Sequence, residues 1–321
     1  MRNAKNIGGQ AVIEGVMMKS PKGWTVAVRD QKGEVHLKRE PLPEPHRALM
    51  LPVLRGVVAL YHALSLGIRA LEFSAGKAYE GSAGGEDKPM SRAAIALTMA
   101  FAFVLGVGLF ILLPLYATKL LGLVLHQVTE QAVIFNLVDG LARVAVFLLY
   151  IRLIGLWADV ARVFQYHGAE HKVIHAYEQG RELVPDNVMD LSPLHPRCGT
   201  SFLLIVMLVS IAVFSFIPQS WPFLYKFLSR LVLMPLIAGL SYELLKISSA
   251  MKDNPLMRLL ILPGLTLQRL TTREPDRSQI EVAIRALEEV LSFEGGAAPA
   301  GSGTAPCGSC EPAPGQENTG A

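Results

Sequence analysis

Ala93–Ala117 reads AAIALTMAFAFVLGVGLFILLPLYA, 25 residues without a single charge. A helix rising 1.5 Å per residue needs about 20 such residues to cross about 30 Å of hydrocarbon. The stretch is therefore long enough to span a bilayer. It is also apolar all round, without the polar stripe that a half-buried helix of a soluble domain carries.

Three further segments approach the same standard. Leu141–Val163 is apolar but holds Arg143, Arg152, Asp159 and Arg162; Phe202–Ile217 is short and uncharged; Leu231–Leu245 is apolar up to Glu243, with an earlier start near Phe223 as the alternative. Lipid offers no hydrogen-bond partner to bare backbone, so each is expected to be a helix. Arg152 and Asp159, seven residues apart within the second of these, would share a face and could pair. Four spans is the expected count, with three and five as its neighbours. The whole chain agrees: of its 321 residues 51% are hydrophobic, and the mean hydropathy is +0.36. The fold class expected is mainly α, a polytopic membrane protein of about four transmembrane helices with a small N-terminal β unit and flanking amphipathic helices.

Basic residues set the orientation. Residues 1–92 carry 14 Lys and Arg and residues 246–321 carry seven, whereas the connection 118–140 has only Lys119 and 218–230 has Lys226 and Arg230. The middle connection, 164–201, has Lys172, Arg181 and Arg197. Positive charge stays in the cytoplasm, which puts both termini and the 164–201 segment there. That distribution accounts for the basic residues, so the net charge of +3 gives no reason to expect a nucleic-acid partner. Met1–Ser20 lacks the continuous apolar core of a cleavable signal peptide. Three cysteines, one of them in the cytoplasmic segment, do not make a disulfide framework.

Around the spans the chain divides into five parts. Residues 1–52 form a β unit and a proline-marked linker: Thr25–Arg29 and Glu34–Lys38 read as strands of a hairpin around Asp30–Gly33. Ile7–Met18 (IGGQAVIEGVMM) reads as a strand with close backbone approach. Within 53–92, Val53–Ala78 is apolar but interrupted by Arg55, Arg69, Glu72 and Lys77. It is expected to lie on the cytoplasmic membrane face, with a re-entrant path as the alternative, and Gly81–Asp87 is a flexible link. Residues 93–245 are the membrane domain, including the 164–201 segment. In 246–294, Gln279–Leu291 has apolar residues at helical spacing and Asp276 or Ser278 as a cap. Residues 295–321 are rich in Gly, Ala, Pro and Ser and are expected to be disordered.

Chemistry concentrates in YHGAEHKVIHAYE (166–178) and HPRCGTSF (195–202), which hold four of the eight histidines. His167, Glu170 and His171 make an H-x-x-E-H arrangement. On a helix His167 and His171 project from one face about one turn apart, where two imidazoles can share Zn²⁺ or a similar divalent ion. The spacing is the inverted form of a zinc-protease motif, with Glu170 as general base. His175 sits one turn further, at the edge of the same face. His195 and Cys198 would arrive from a non-helical segment, because Pro193 and Pro196 stand beside them, and would complete a mixed nitrogen and sulfur site. The helix carrying His167 is expected to continue directly from the second span, which places the site at the membrane–cytoplasm boundary. The bland alternative is a solvated interfacial helix whose His and Lys side chains touch lipid headgroups. Glu14 is read as an ordinary strand carboxylate, and Glu243 as facing the polar site or reaching for the interface. Cys307 and Cys310 have C-x-x-C spacing in a low-complexity tail and no second pair.

Five blocks in order, GGQAVIEGVMMKSP, LRGVVALYHALSLGIRAL, YHGAEHKVIHAYE, HPRCGTSFLL and QRLTTREPDRSQIEVAIRALEEVL, resemble the signature blocks of the YqhQ-like bacterial membrane proteins over about residues 5–292. That group is a domain-of-unknown-function family often labelled as predicted metal-dependent enzymes. The resemblance implies a bacterial cytoplasmic membrane protein with a metal site. His167, Glu170, His171, His175, His195 and Cys198 are all present, and the tail after Gly295 has no counterpart. The reading that follows is a membrane-embedded metal-dependent hydrolase. His167 and His171 would ligate the metal, His195, Cys198 or His175 would add to the shell, and Glu170 would be the general base. The alternative is a non-catalytic scaffold or assembly factor with at most a structural metal. The lipid bilayer is the one partner implied.

Overall fold

A computed structural model describes residues 7–43, 51–79, 92–126, 131–196, 198–218, 220–250 and 255–295. Residues 44–50 of the proline linker, the link at Gly81–Asp87 and the tail with Cys307 and Cys310 lie outside the described residues.

The N-terminal unit is larger than the expected hairpin. Strands β1 (Gly8–Val12), β2 (Gly15–Lys19), β3 (Gly23–Arg29) and β4 (Val35–Pro41) form one antiparallel meander in chain order. The stretch read as a single strand, Ile7–Met18, folds back on itself at Ile13-Glu14, so that Val12 pairs with Gly15 and Gln10 with Met17. Glu14 takes a positive φ of 51° there, a conformation a glutamate rarely adopts. That unusual residue choice hides the turn from a composition reading.

Strand alternation sorts the side chains onto two buried faces. Val12, Met17, Trp24, Val26 and Val28 pack against Leu66, Ala70 and Phe73 of α1 (Leu54–Ala78). On the other face Val16, Met18 and Ala27 pack against two helices, α5 (Ala158–Gln179) and α10 (Arg277–Ser292). The sheet is thus the middle layer of three. The last helix has the expected cap: Asp276 accepts from the Gln279 amide, and the Gln279 side chain returns the bond to Asp276 N–H. Its apolar face (Ile280, Ala283, Leu287) is fully buried, and Thr25 donates to the Ala286 carbonyl at 2.7 Å.

Four helical stretches are long and apolar enough to cross a membrane: Leu54–Ala78, Ala96–Val124, Val133–Ile154 and Phe223–Ile247. The count matches expectation, but the membership does not. The first span runs through α2 (Arg92–Val107), a π-helical turn (Gly108–Leu112) and α3 (Leu113–Val124). The segment read as Leu141–Val163 is broken: α4 (Ala132–Ile154) ends at Gly155, and α5 starts afresh behind Trp157, whose backbone is extended. Asp159 then lies in the first turn of α5, where a helix dipole favours an acid, so Arg152 and Asp159 stand on different helices and do not share a face. The helix bearing His167 likewise does not continue from the span. A short helix α6 (Pro185–Val188) follows. The next apolar helix, α7 (Gly199–Phe214), has 16 residues and rises about 24 Å, and the apolar sequence runs on to Ile217. Helix α8 (Phe223–Ala250) absorbs the predicted Leu231–Leu245. A further helix, α9 (Pro255–Thr271), packs Leu267 against Phe147 and Met207 of the apolar bundle. Glu243 faces neither the histidine cluster nor open interface. It binds Arg55 and the Val53 amide, tying α8 to the start of α1.

Candidate metal centre

Helix α5 presents its polar residues to the place where α4 ends, α7 begins and α9 ends. Two links fix that junction: the Arg273 amide donates to the Phe164 carbonyl at 2.9 Å, and its guanidinium donates to the Gly155 carbonyl. Gly168 makes the approach possible, since a Cβ there would stand 2.1 Å from the Arg273 carbonyl oxygen. This explains the glycine inside H-G-A-E-H.

His167, His171 and Cys198 converge. One nitrogen from each imidazole and the Cys198 sulfur all lie within 4.8 Å of one another, and His167 Nε2 is 3.2 Å from Sγ. The partners of the other ring nitrogens decide the tautomers. His167 Nδ1 faces the Thr271 carbonyl at 2.8 Å and His171 Nδ1 faces the Pro193 carbonyl at 2.6 Å. A carbonyl only accepts, so both Nδ1 atoms carry the proton and both Nε2 atoms keep a lone pair. Backbone carbonyls behind ligating histidines are the usual way a site fixes ring orientation. Cys198 caps α7, with its sulfur accepting from the Thr200 amide at 3.4 Å and 3.2 Å from the Thr200 hydroxyl.

Glu170 lies beside this group and is 5% exposed. It receives a hydrogen bond from the Gly9 amide on β1, and a Cβ on Gly9 would stand 2.8 Å from its Cδ. The glycine in the N-terminal block is therefore a seat for the carboxylate, in keeping with the close backbone approach read there. The other carboxylate oxygen, Oε2, is buried with no hydrogen-bond partner, and so is His171 Nε2. Burial pushes the Glu170 carboxyl up to about 8, against the pull of His167 and the Gly9 amide. Burial, seconded by the neighbouring imidazoles, pushes His171 down to about 2, and the Pro193 carbonyl offsets only part of this. Burial also raises the Cys198 thiol, opposed by Thr200. Without a cation Glu170, His171 and Cys198 thus each prefer the neutral form.

The remaining predicted residues sit one turn away. The His175 ring is 4.5 Å from that of His195, which is in turn 5.8 Å from that of His171. His175 Nε2 donates to the Leu194 carbonyl at 2.8 Å, and His195 Nε2 is 3.4 Å from the Glu178 carboxylate. The His195 backbone is clamped on both sides by the Gln268 amide, at 2.9 and 2.8 Å. Neither histidine belongs to the three-atom group. Glu14 accepts from Arg162 and Tyr166, locking the β1–β2 turn onto α5. The sequence reading did not anticipate Gln268 or the Thr271 and Pro193 carbonyls. Main-chain acceptors leave no mark in residue type, and Gln268 is a lone amide in an apolar run.

A second triad of potential ligands, Asp30, Glu34 and His36, lies on the β3–β4 turn. Asp30 spends its carboxylate on the Lys32 and Glu34 amides and on His36, as a turn-closing acid does.

A family model described as "Protein of unknown function (DUF1385)" matches residues 51–293. The chain is also 34% identical over 299 residues to "Uncharacterized protein YqhQ" of Bacillus subtilis (strain 168), covering 89% of this chain and 92% of that protein. No solved structure matches.

Proposed function

This chain belongs to the DUF1385 family, and on that premise we propose that it is a metal-dependent hydrolase of the bacterial cytoplasmic membrane with both termini in the cytoplasm. His167, His171 and Cys198 would hold a divalent ion such as Zn²⁺, and Glu170 would be the general base. One observation carries this reading: two acceptors, His171 Nε2 and Glu170 Oε2, are buried beside a thiol and a second imidazole lone pair with nothing to bind. A buried polar atom left unsatisfied costs about 1–3 kcal/mol, and a cation relieves several such groups at once. The donor set fits zinc, for which two imidazoles and a thiolate are ordinary ligands. Three ligands also leave a coordination position open, which favours catalysis over a closed structural site.

When bound, the ion would supply Lewis acidity and a lowered water pKa. The protein's own residues do the rest. Thr271 and Pro193 hold the imidazole planes. Gly9 fixes one Glu170 oxygen and leaves the other free to take a proton from water and return it to a leaving group. Placement where α4 ends and α7 begins suits a substrate at the membrane boundary.

The test is metal content by elemental mass spectrometry, comparing the native chain with a His167→Ala/His171→Ala variant. About one ion per chain, lost in the variant while melting behaviour persists, is expected. A metal-free native protein after exposure to Zn²⁺, Fe²⁺ and Mn²⁺ would sink the proposal. Glu170→Gln should then keep the ion and lose turnover.

A second reading rests on the 3.2 Å contact between His167 and Cys198, the spacing of an imidazole base and a thiol nucleophile. Iodoacetamide labelling decides it. A nucleophilic thiol reacts fast in chelator-treated protein, whereas the raised thiol predicts slow labelling.

A further inference from the structure

Helix α1 has the length and composition of a span, but its second half is committed elsewhere. From Leu66 onward it packs on the sheet. Only the first 12 residues, Leu54–Ser65, are free of it, and they reach about 18 Å, too little for about 30 Å of hydrocarbon. The helix therefore lies along the membrane surface. It starts against α8, where Gly56 touches Gly239 and Tyr242. Its free side carries Tyr61, Leu64, Ile68 and Leu71, all exposed at 37–69% and spaced at i, i+3, i+7 and i+10. This is the apolar stripe of an interfacial helix.

Behind that stripe, between α1 and the β1–β2 ladder, lies an open-sided cavity of about 420 Å³. Ala63, Leu66, Met17 and Pro21 make its walls apolar, and Lys19 is its one charged residue. The Lys19 ammonium is partly buried, which lowers its pKa, and among the described residues it has no ion-pair partner. An apolar cleft with a single half-buried cation, walled by a helix whose outer face meets lipid, is complementary to an amphiphile with a negative head.

We propose that this cavity binds an anionic phospholipid of the adjoining leaflet, with its phosphate paired to Lys19 and one acyl chain between α1 and Met17. The chain would lie one backbone residue away from Glu170, because Gly9 lines the cavity and touches that carboxylate. The proposal does not depend on the metal reading.

Native mass spectrometry of the full chain released from detergent, titrated with phosphatidylglycerol, phosphatidylcholine or oleate, tests it. The native protein should retain one phosphatidylglycerol in preference to phosphatidylcholine. Lys19→Gln should weaken phosphatidylglycerol retention about tenfold and leave phosphatidylcholine unchanged. Ala63→Trp, at an exposed position where the indole would fill the cleft, should abolish phosphatidylglycerol retention while melting temperature and metal content stay native. Equal retention of phosphatidylglycerol by all three proteins would overturn the proposal. So would retention of oleate alone, which would assign the cleft to free fatty acid.

Discussion

Asp139, deep in the helical bundle, gives one carboxylate oxygen to Arg143 and the other to Arg230, each at 2.8 Å. Glu170, equally buried against the sheet, has one oxygen on a glycine amide and the other on nothing. The bundle spends its charges on itself, with Arg230 Nε the one nitrogen of the two guanidiniums left without a partner among the described residues. Arg143 goes on to bind Ser210 on α7 and the Phe110 carbonyl in the π-helical turn, and both guanidiniums lie about 5 Å over the Phe214 ring. The sheet half instead keeps acceptors in reserve within a few ångströms of one another. A buried polar group that closes its own network is holding helices together, whereas one left open beside others of the same kind leaves room for a ligand. Intramembrane charge alone would have pointed to the bundle as the functional place; the clustering of open acceptors points to the other half.

The largest test of this contrast removes the shared carboxylate. Asp139→Ala strands two guanidiniums in the bundle and should destabilise the protein by about 3–5 kcal/mol, read as a sharp fall in melting temperature by fluorescence-detected size exclusion. The triple change Asp139→Leu, Arg143→Met, Arg230→Met should recover most of that loss, because a paired network is replaceable by well-packed apolar groups. A triple variant that folds yet loses function would break the comparison by making the network more than a brace.

The seat of Glu170 comes next. At Gly9 a Cβ would meet the Met17 carbonyl at 2.7 Å as well as the Glu170 carboxyl, while at Gly8 it meets nothing within 4 Å. Gly9→Ala should destabilise by about 1–3 kcal/mol and lower metal affinity, and Gly8→Ala should change neither. Similar effects at both glycines would show that β1 does not position the carboxylate.

A pH series sharpens the same point. In the metal-free protein the Glu170 carboxyl holds its proton up to about pH 8, whereas in the unfolded chain it loses it near 4.5. Unfolding therefore releases a proton between those values, and stability falls as pH rises through that window. His171, held down to about 2 against an ordinary 6.5, acts oppositely but only below pH 6.5. From pH 6.5 to 8 the Glu170 slope stands alone and amounts to about 2 kcal/mol. Glu170→Gln should flatten it. Metal binding should show the reverse sense, tightening with pH as Cys198 and Glu170 give up protons.

How far the sequence foretold this depends on the kind of signal. Apolar runs announced three of the four long apolar helices, and H-x-x-E-H announced the pairing of His167 with His171, since helical spacing alone brings them together. Cys198 was named with them because Pro193 and Pro196 marked its segment as non-helical, able to bring a further ligand to the helix. The break at Gly155–Trp157 was not legible, because hydropathy continues through it and only the extended backbone of Trp157 ends the helix. The four-stranded sheet was half legible: alternation marked β3 and β4, but Glu14 at a positive φ gave no turn signature between β1 and β2. His175 and His195 share the spacing and chemistry of the site, and their distance from it depends on the Gln268 clamp, which is a tertiary contact.

The smallest expected effect separates holding the site together from making it. Glu14 and Arg162 join the β1–β2 turn to α5, yet both side chains are partly exposed, at 26% and 47%. An ion pair so placed contributes about 0.2–1 kcal/mol, and burial of the β2 and α10 apolar faces keeps the layers together without it. Arg162→Ala should lower the melting temperature only slightly and leave metal content unchanged, with the loss shrinking further in high salt. If metal were lost while the protein stayed folded, the turn would be steering Glu170 through β1. The sheet would then be part of the site's machinery rather than its support.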